Sequence, residues 1–126
     1  MTPLVCVVDD DESVRESLPD LLQSFGLTVR AFASPERYLA SDCLGRTGCL
    51  ILDVAMPGMS GTDLERELIA RDAGIPIVFI TAHSDEEGRG ELLKNGAVDC
   101  LLKPFSEEAL LKAVLSALHV AEGRDG

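Results

Sequence analysis

Four apolar runs in this chain each end on side chains that could manage a phosphoryl group. Leu4 to Val8 leads into Asp9-Asp10-Asp11, Cys49 to Leu52 into Asp53, Pro76 to Ile80 into Thr81, and Val98 to Leu102 into Lys103-Pro104. In one parallel sheet all these ends point the same way, so the groups converge at one rim. Carboxylates that close repel one another, and one would hold a proton unless a counter-ion were present. A divalent cation removes the conflict, and such oxygen donors suit Mg²⁺, which keeps several waters and often bridges to phosphate. Carboxylate, Mg²⁺, ammonium and hydroxyl form a site for phosphoryl transfer, where catalysis is mainly positioning and charge neutralisation. Asp53 is the centre of this reading, because Pro57 and Gly58 stop its strand and leave the carboxylate at the carboxyl end.

Each group alone has an ordinary explanation. Asp53 could be a turn residue, and the triple acid could open a helix whose dipole favours it. Thr81 could merely close a strand, and a Lys before Pro is usually a surface charge. Their coincidence at successive strand ends outweighs these readings.

The elements that must position these groups alternate along the chain. After the first strand, Val14, Leu18, Leu21, Leu22 and Phe25 recur at helical spacing, with Gly26 as the stop and Pro19 inside. Leu27 to Phe32 has the mixed polarity of an edge strand. Ser34-Pro35 then opens a short helix, with Ser34 as cap. A loop from Gly45 to Gly48 precedes the strand that ends on Asp53. Ser60 or Gly61 starts a helix with Leu64, Leu68 and Ile69 on one face. The segment from Ser84 to Asn95 predicts a helix capped by Gly96 and weakened by Gly88 and Gly90, at roughly 1 kcal/mol each against Ala. Ser106 opens a last helix to about His119. Five strands alternating with five helices imply an α/β fold, a doubly wound five-stranded parallel sheet covered on both sides.

Composition narrows the classes. The 126 residues suit one domain, and 46% hydrophobic residues exclude a disordered chain. The formal net charge of -11 argues against nucleic-acid binding by this segment. Cys6, Cys43, Cys49 and Cys100 form no C-x-x-C pair, so buried free thiols are expected. No apolar run approaches the ~20 residues of a membrane span, and no signal peptide is recognisable. The expected location is the cytoplasm.

As a set, in this order and spacing, four segments resemble the receiver domain of two-component response regulators. They are Val7-Val8-Asp9-Asp10, Leu52-Asp53-Val54-Ala55-Met56-Pro57-Gly58-Met59-Ser60-Gly61, Ile80-Thr81-Ala82 and Lys103-Pro104-Phe105. The resemblance covers essentially the whole chain. The His83 loop and Ala97-Val98-Asp99 are most similar to FixJ-type regulators. The resemblance implies strand order 2-1-3-4-5 in a flavodoxin-like (CheY-like) three-layer sandwich. It implies that Asp53 takes a phosphoryl group from a phosphohistidine on a cognate sensor histidine kinase. Asp10 would bind Mg²⁺ directly, Asp9 would act through water, and the backbone carbonyl of Ala55 would complete the protein ligands. Thr81 would turn its hydroxyl to the phosphoryl group and Lys103 would pair with it. Asp11 is then left as a helix-start residue.

On the same resemblance the chain is no general enzyme but catalyses only its own phosphotransfer and dephosphorylation. The face made by the fourth helix, fifth strand and fifth helix would switch, allowing a homodimer and controlling an output domain or partner. If a DNA-binding domain follows, that output is transcription. Residues 1–121 would form the receiver domain and 122–126 a tail or linker start. The Lys103-Pro104 bond is expected to be cis, which X-Pro bonds tolerate best. Cys100 departs from the family, which often has an aromatic three residues before the Lys. Switching is therefore expected to travel through the loop from Ala82 to Asp85 and the glycine-bearing helix after it.

Other classes fit less well. A haloacid-dehalogenase-like phosphatase needs a second acid two residues after the nucleophile, where Ala55 stands. A receiver used only for dimerisation normally lacks one of the acids, the Thr or the Lys. A flavin-binding protein would want a Ser/Thr-rich loop in place of the triple acid.

Overall fold

The computed structural model describes residues 4–54, 56, 58–82, 86–94 and 96–124, without the side chains of 86–89 and 120–124. Strands β1 (Leu4–Val8), β2 (Thr28–Phe32), β3 (Thr47–Asp53), β4 (Ile77–Thr81) and β5 (Asp99–Leu102) alternate with helices. The helices are α1 (Glu12–Gln23), α2 (Pro35–Leu39), α3 (Gly61–Ala70), α4 (Glu86–Lys94) and α5 (Glu107–Arg124). The sheet order is β2-β1-β3-β4-β5, and every pair is parallel. This is the doubly wound order expected.

Period-two alternation sorts the strand residues between two cores. Val5, Val7, Ile51, Val78, Ile80 and Leu101 face α1 and α5, meeting Leu18, Leu22, Leu110 and Val114. Leu4, Cys6, Val8, Leu50, Leu52, Phe79 and Cys100 face the other way, toward Tyr38 of α2, Leu64 and Leu68 of α3 and Leu92 of α4. Central strands buried on both faces explain the unbroken apolar runs. All four cysteines are buried thiols outside any disulfide, as expected.

Local chemistry sets the helix ends. Asp11 caps α1 by accepting the Ser13 N–H at 2.9 Å, and Ser34 caps α2 by accepting from Arg37. Ser60 and Asp63 form a reciprocal capping box on α3. At the far end of α1, Gly26 and Leu27 donate to Gln23 and Leu22, a closing turn that needs positive φ at Gly26. Gly96 closes α4 in the same way. Asp72 does so for α3 at φ 54°, without the glycine that would have marked the stop in sequence.

Several boundaries differ from expectation. Gly48 lies inside β3, which begins at Thr47 after a 3-10 turn over Leu44–Arg46. The last helix runs through Arg124, because residues beyond His119 keep helical backbone. Phe25 is 48% exposed, since α1 ends before it. Ile69 is 63% exposed, because the buried stripe of α3 is Gly61, Leu64, Glu65 and Leu68. That stripe follows i, i+3, i+4, i+7, which puts Glu65 on the core side and leaves Ile69 off it. Ser84, Asp85 and Asn95 lie outside the described residues.

Candidate functional site

The alternation that builds the first core also aims the acids. Counting by twos from Val7, Ile51 and Leu101 carries the α1/α5 face into Asp9, Asp53 and Lys103. These three meet at the carboxyl rim. Lys103 Nζ lies 3.2 Å from Asp9 Oδ2 and 3.8 Å from Asp53 Oδ2. Asp9 is 0% exposed and Asp53 7%, whereas Asp10 is exposed. One carboxylate oxygen from each of Asp9, Asp10 and Asp53 lies within 4.8 Å of the other two.

The two oxygens of Asp9 are already engaged. Oδ1 accepts the Asp11 N–H at 2.9 Å and Oδ2 accepts from Lys103. Its backbone N–H donates to the Phe32 carbonyl, and its carbonyl accepts from Arg15 Nη1 at 3.1 Å. Asp9 is thereby fixed from four directions. Asp10 stands next to it at the solvent edge, and Asp11 turns away to cap α1.

Thr81 closes β4 on the neighbouring strand, and its carbonyl accepts the Lys103 N–H at 2.7 Å. By alternation it continues the Phe79 face, opposite in sense to Asp53. The rim is therefore approached from both sides of the sheet. The Lys103-Pro104 peptide is cis, as expected. Ala55 and His83 lie outside the described residues.

Two contributors were not read from the sequence as site residues. Gly61 is required sterically: a Cβ there would collide with the carbonyl oxygen of Asp53 and crowd Val54 Cα at 3.1 Å. The Gly61 N–H donates to the Val54 carbonyl at 3.0 Å, so α3 begins directly on the backbone that carries Asp53. A glycine at the first helical position, where a side chain is normally harmless, was the available signal. Arg15, one turn into α1, was the other; a cation so soon after three acids is a natural tether. Farther along the same loop, Glu36 of α2 accepts the Met59 N–H at 3.3 Å.

Among the described residues, three carboxylates gather around the Lys103 ammonium, and all the donors are hard oxygens. The acids present could hold a divalent metal ion. The described helices include none long and apolar enough to cross a membrane.

Nodulation protein W of Bradyrhizobium diazoefficiens is 47% identical over 114 residues, 90% of this chain and 50% of that protein. Transcriptional regulatory protein FixJ of Azorhizobium caulinodans is 43% identical over 114 residues, 90% of this chain and 54% of that protein. The solved structure of response regulator StyR has a TM-score of 0.92 and 46% identity, covering 99% of this chain and 63% of that one. The chain thus spans about half the length of the curated relatives it matches. A family profile for the response regulator receiver domain matches residues 5–115, from β1 into α5. The chain belongs to the response regulator receiver-domain family, whose members act in two-component signalling.

Proposed function

We propose that Asp53 is the phosphoryl acceptor of a two-component phosphorelay, supplied by a cognate sensor histidine kinase. The observation that carries this is the Lys103 ammonium, 3.2 Å from Asp9 and 3.8 Å from Asp53 among three clustered acids. An Asp53 oxygen attacks phosphorus, the P–N bond to the kinase histidine breaks, and the imidazole leaves with the electron pair. Lys103 needs no long movement to pair with the new phosphoryl oxygens. The Thr81 hydroxyl contacts them from the other side of the rim. Asp10 and Asp53 would hold Mg²⁺, with Asp9 acting through water and the carbonyl of Ala55 as a further ligand. Bound there, Mg²⁺ would neutralise charge developing on the phosphoryl oxygens.

In dephosphorylation, water attacks phosphorus, the P–O bond to Asp53 breaks, the carboxylate leaves with the electron pair and inorganic phosphate is released. The chain thus catalyses only its own phosphorylation and dephosphorylation. The output runs through α4, β5 and α5, where Leu93, Leu102 and Leu115 are 38%, 46% and 51% exposed and available for a homodimer contact. The protein works in the cytoplasm, within residues 1–121, and regulates transcription through a further domain or partner, as the names of its relatives suggest.

Intact-mass measurement after incubation with a small phosphodonor tests the acceptor. One added phosphoryl group is expected in the presence of Mg²⁺, and none with EDTA. Mg²⁺-dependent phosphorylation retained in Asp53→Asn would refute the assignment. Sedimentation with beryllium fluoride tests the dimer, which should be weakened by Leu115→Ser.

A further inference from the structure

At the opposite edge of the sheet from the acids, Glu65, Leu68, Ile69, Gly74, Ile75 and Ile77 line a cavity of about 190 Å³. Ile77 opens β4 whereas Thr81 closes it, so the two sites are about 13 Å apart along the strand. We propose that this cavity binds a primary alkylammonium group, with Glu65 as its counter-ion and the isoleucines around its aliphatic arm.

Glu65 is 6% exposed, on the buried stripe of α3. Among the described residues none gives its carboxylate a hydrogen bond or an ion pair. Arg66 is close enough to attract it, but that guanidinium bridges Asp63 at 3.7 Å with a side chain 79% exposed. Desolvation accordingly pushes the Glu65 carboxyl above its ordinary 4.5. The Glu65 oxygens reach solvent at the cavity rather than lying sealed in the core, so a cation entering there would meet a partly desolvated carboxylate that no described residue pairs.

The remaining lining selects the class of cation. Leu68, Ile69, Ile75 and Ile77 offer hydrocarbon walls and no further carboxylate, so a hydrated metal ion finds too few oxygen donors. The volume is below the range of about 300–1,000 Å³ that suits drug-sized ligands, and favours a short unbranched arm. Ile69, 63% exposed beside the cavity, would be covered by that arm. An ammonium on a short alkyl chain satisfies both the acid and the apolar wall. A free aliphatic amine and a partner's lysine side chain carry the same group.

The test is methyl NMR of the whole chain, following Ile69, Ile75 and Ile77 during titration with n-butylammonium chloride. Sodium chloride at matched ionic strength and n-butanol serve as controls. Saturable shifts at these residues are expected with the amine and not with butanol, at least tenfold weaker in Glu65→Gln. Asp53→Asn should bind as the unaltered chain does, which separates this site from the phosphorylation reading. A parallel titration with Nα-acetyl-lysine amide distinguishes the sources: binding tighter than butylammonium assigns a protein lysine, weaker binding a free amine. Because Glu65→Gln could alter folding, the Glu65 carboxyl carbon is also titrated in the unaltered chain. Saturating amine should lower its midpoint. No saturable shift, equal shifts in Glu65→Gln, or an unmoved midpoint would overturn the proposal.

Discussion

The two faces of the sheet do different work around the same rim. The α1/α5 face ends in Asp9, Asp53 and Lys103, held by an ion pair between the half-buried Lys103 and the buried Asp9 and by backbone and side-chain bonds to Asp9. Beneath them the 18-residue α5 buries Leu110, Ala113, Val114, Ala117 and Leu118. The opposite face ends in Thr81 and lies partly under α4, which buries only Leu92 among its described side chains. Cys100, 2% exposed in that core, fills little of the volume an aromatic would. The acceptor we propose, Asp53, thus stands on the anchored face and Thr81 on the lighter one. A receiver needs both, since an acceptor must hold its geometry while a switch must have a low-stability element to move.

The largest effect should come from breaking the anchored face at its charge. Lys103→Met leaves the fully buried Asp9 beside Asp53 without their cation. Leaving the buried Asp9 carboxylate without this partner should lower stability by about 3 kcal/mol in Mg²⁺-free buffer, read by urea denaturation. Added Mg²⁺ should restore part of the loss. A change no greater than that of a surface Lys would show that the pair does not anchor this face.

Next comes the seam between the faces. Gly61→Ala pushes a methyl group onto the Asp53 carbonyl and should cost about 2 kcal/mol, with slower phosphorylation at Asp53. Unaltered stability and rate would mean that α3 can shift freely, contrary to a fixed acceptor backbone.

Alkaline pH compares the dryness of the two cores. Burial pushes the Cys49 thiol, on the α1/α5 face, from 9.0 up to about 12. Cys6, on the other face, is pushed by burial to about 11, with Thr47 hydrogen bonding in the lowering sense. A folded pKa above the unfolded one gives stability that is complete below pH 9. It is lost as pH rises through the folded values. The Cys49 contribution alone should lower stability by about 2 kcal/mol between pH 9 and 11, and Cys49→Val should flatten the fall more than Cys6→Val. Equal flattening would remove the distinction between the cores.

The smallest expected effect tests the lighter face directly. A Cβ at Gly90 meets nothing within 4 Å, so Gly90→Ala should stabilise α4 by at most about 1 kcal/mol, seen as slower amide exchange there. If switching travels through this helix, the same variant should also shrink the exchange change that beryllium fluoride produces from Ala82 to Lys94. An unchanged response in a demonstrably stiffer α4 would place the switch elsewhere.

Much of this was written locally. Leu4–Val8 and Cys49–Leu52 read as strands because continuous apolar runs have no other stable use at that length, and carboxylates at their ends follow at once. Ser34, Ser60, Gly26 and Gly96 announced helix ends through side chains and φ values that act within a few residues. That the strand ends meet at one rim was legible too, but which atoms pair there was decided by tertiary structure. Nothing near Asp9 in sequence says that Lys103 will reach it, 94 positions away. Asp72 stops α3 although it is no glycine, because the closing bonds to Leu68 and Ile69 hold its positive φ. Glu65 rather than Ile69 turned inward because the start of α3 is fixed on the Asp53 backbone, which sets the rotation of the whole helix. Apolar periodicity tells which residues share a stripe, but only contact with the sheet chooses which stripe is buried.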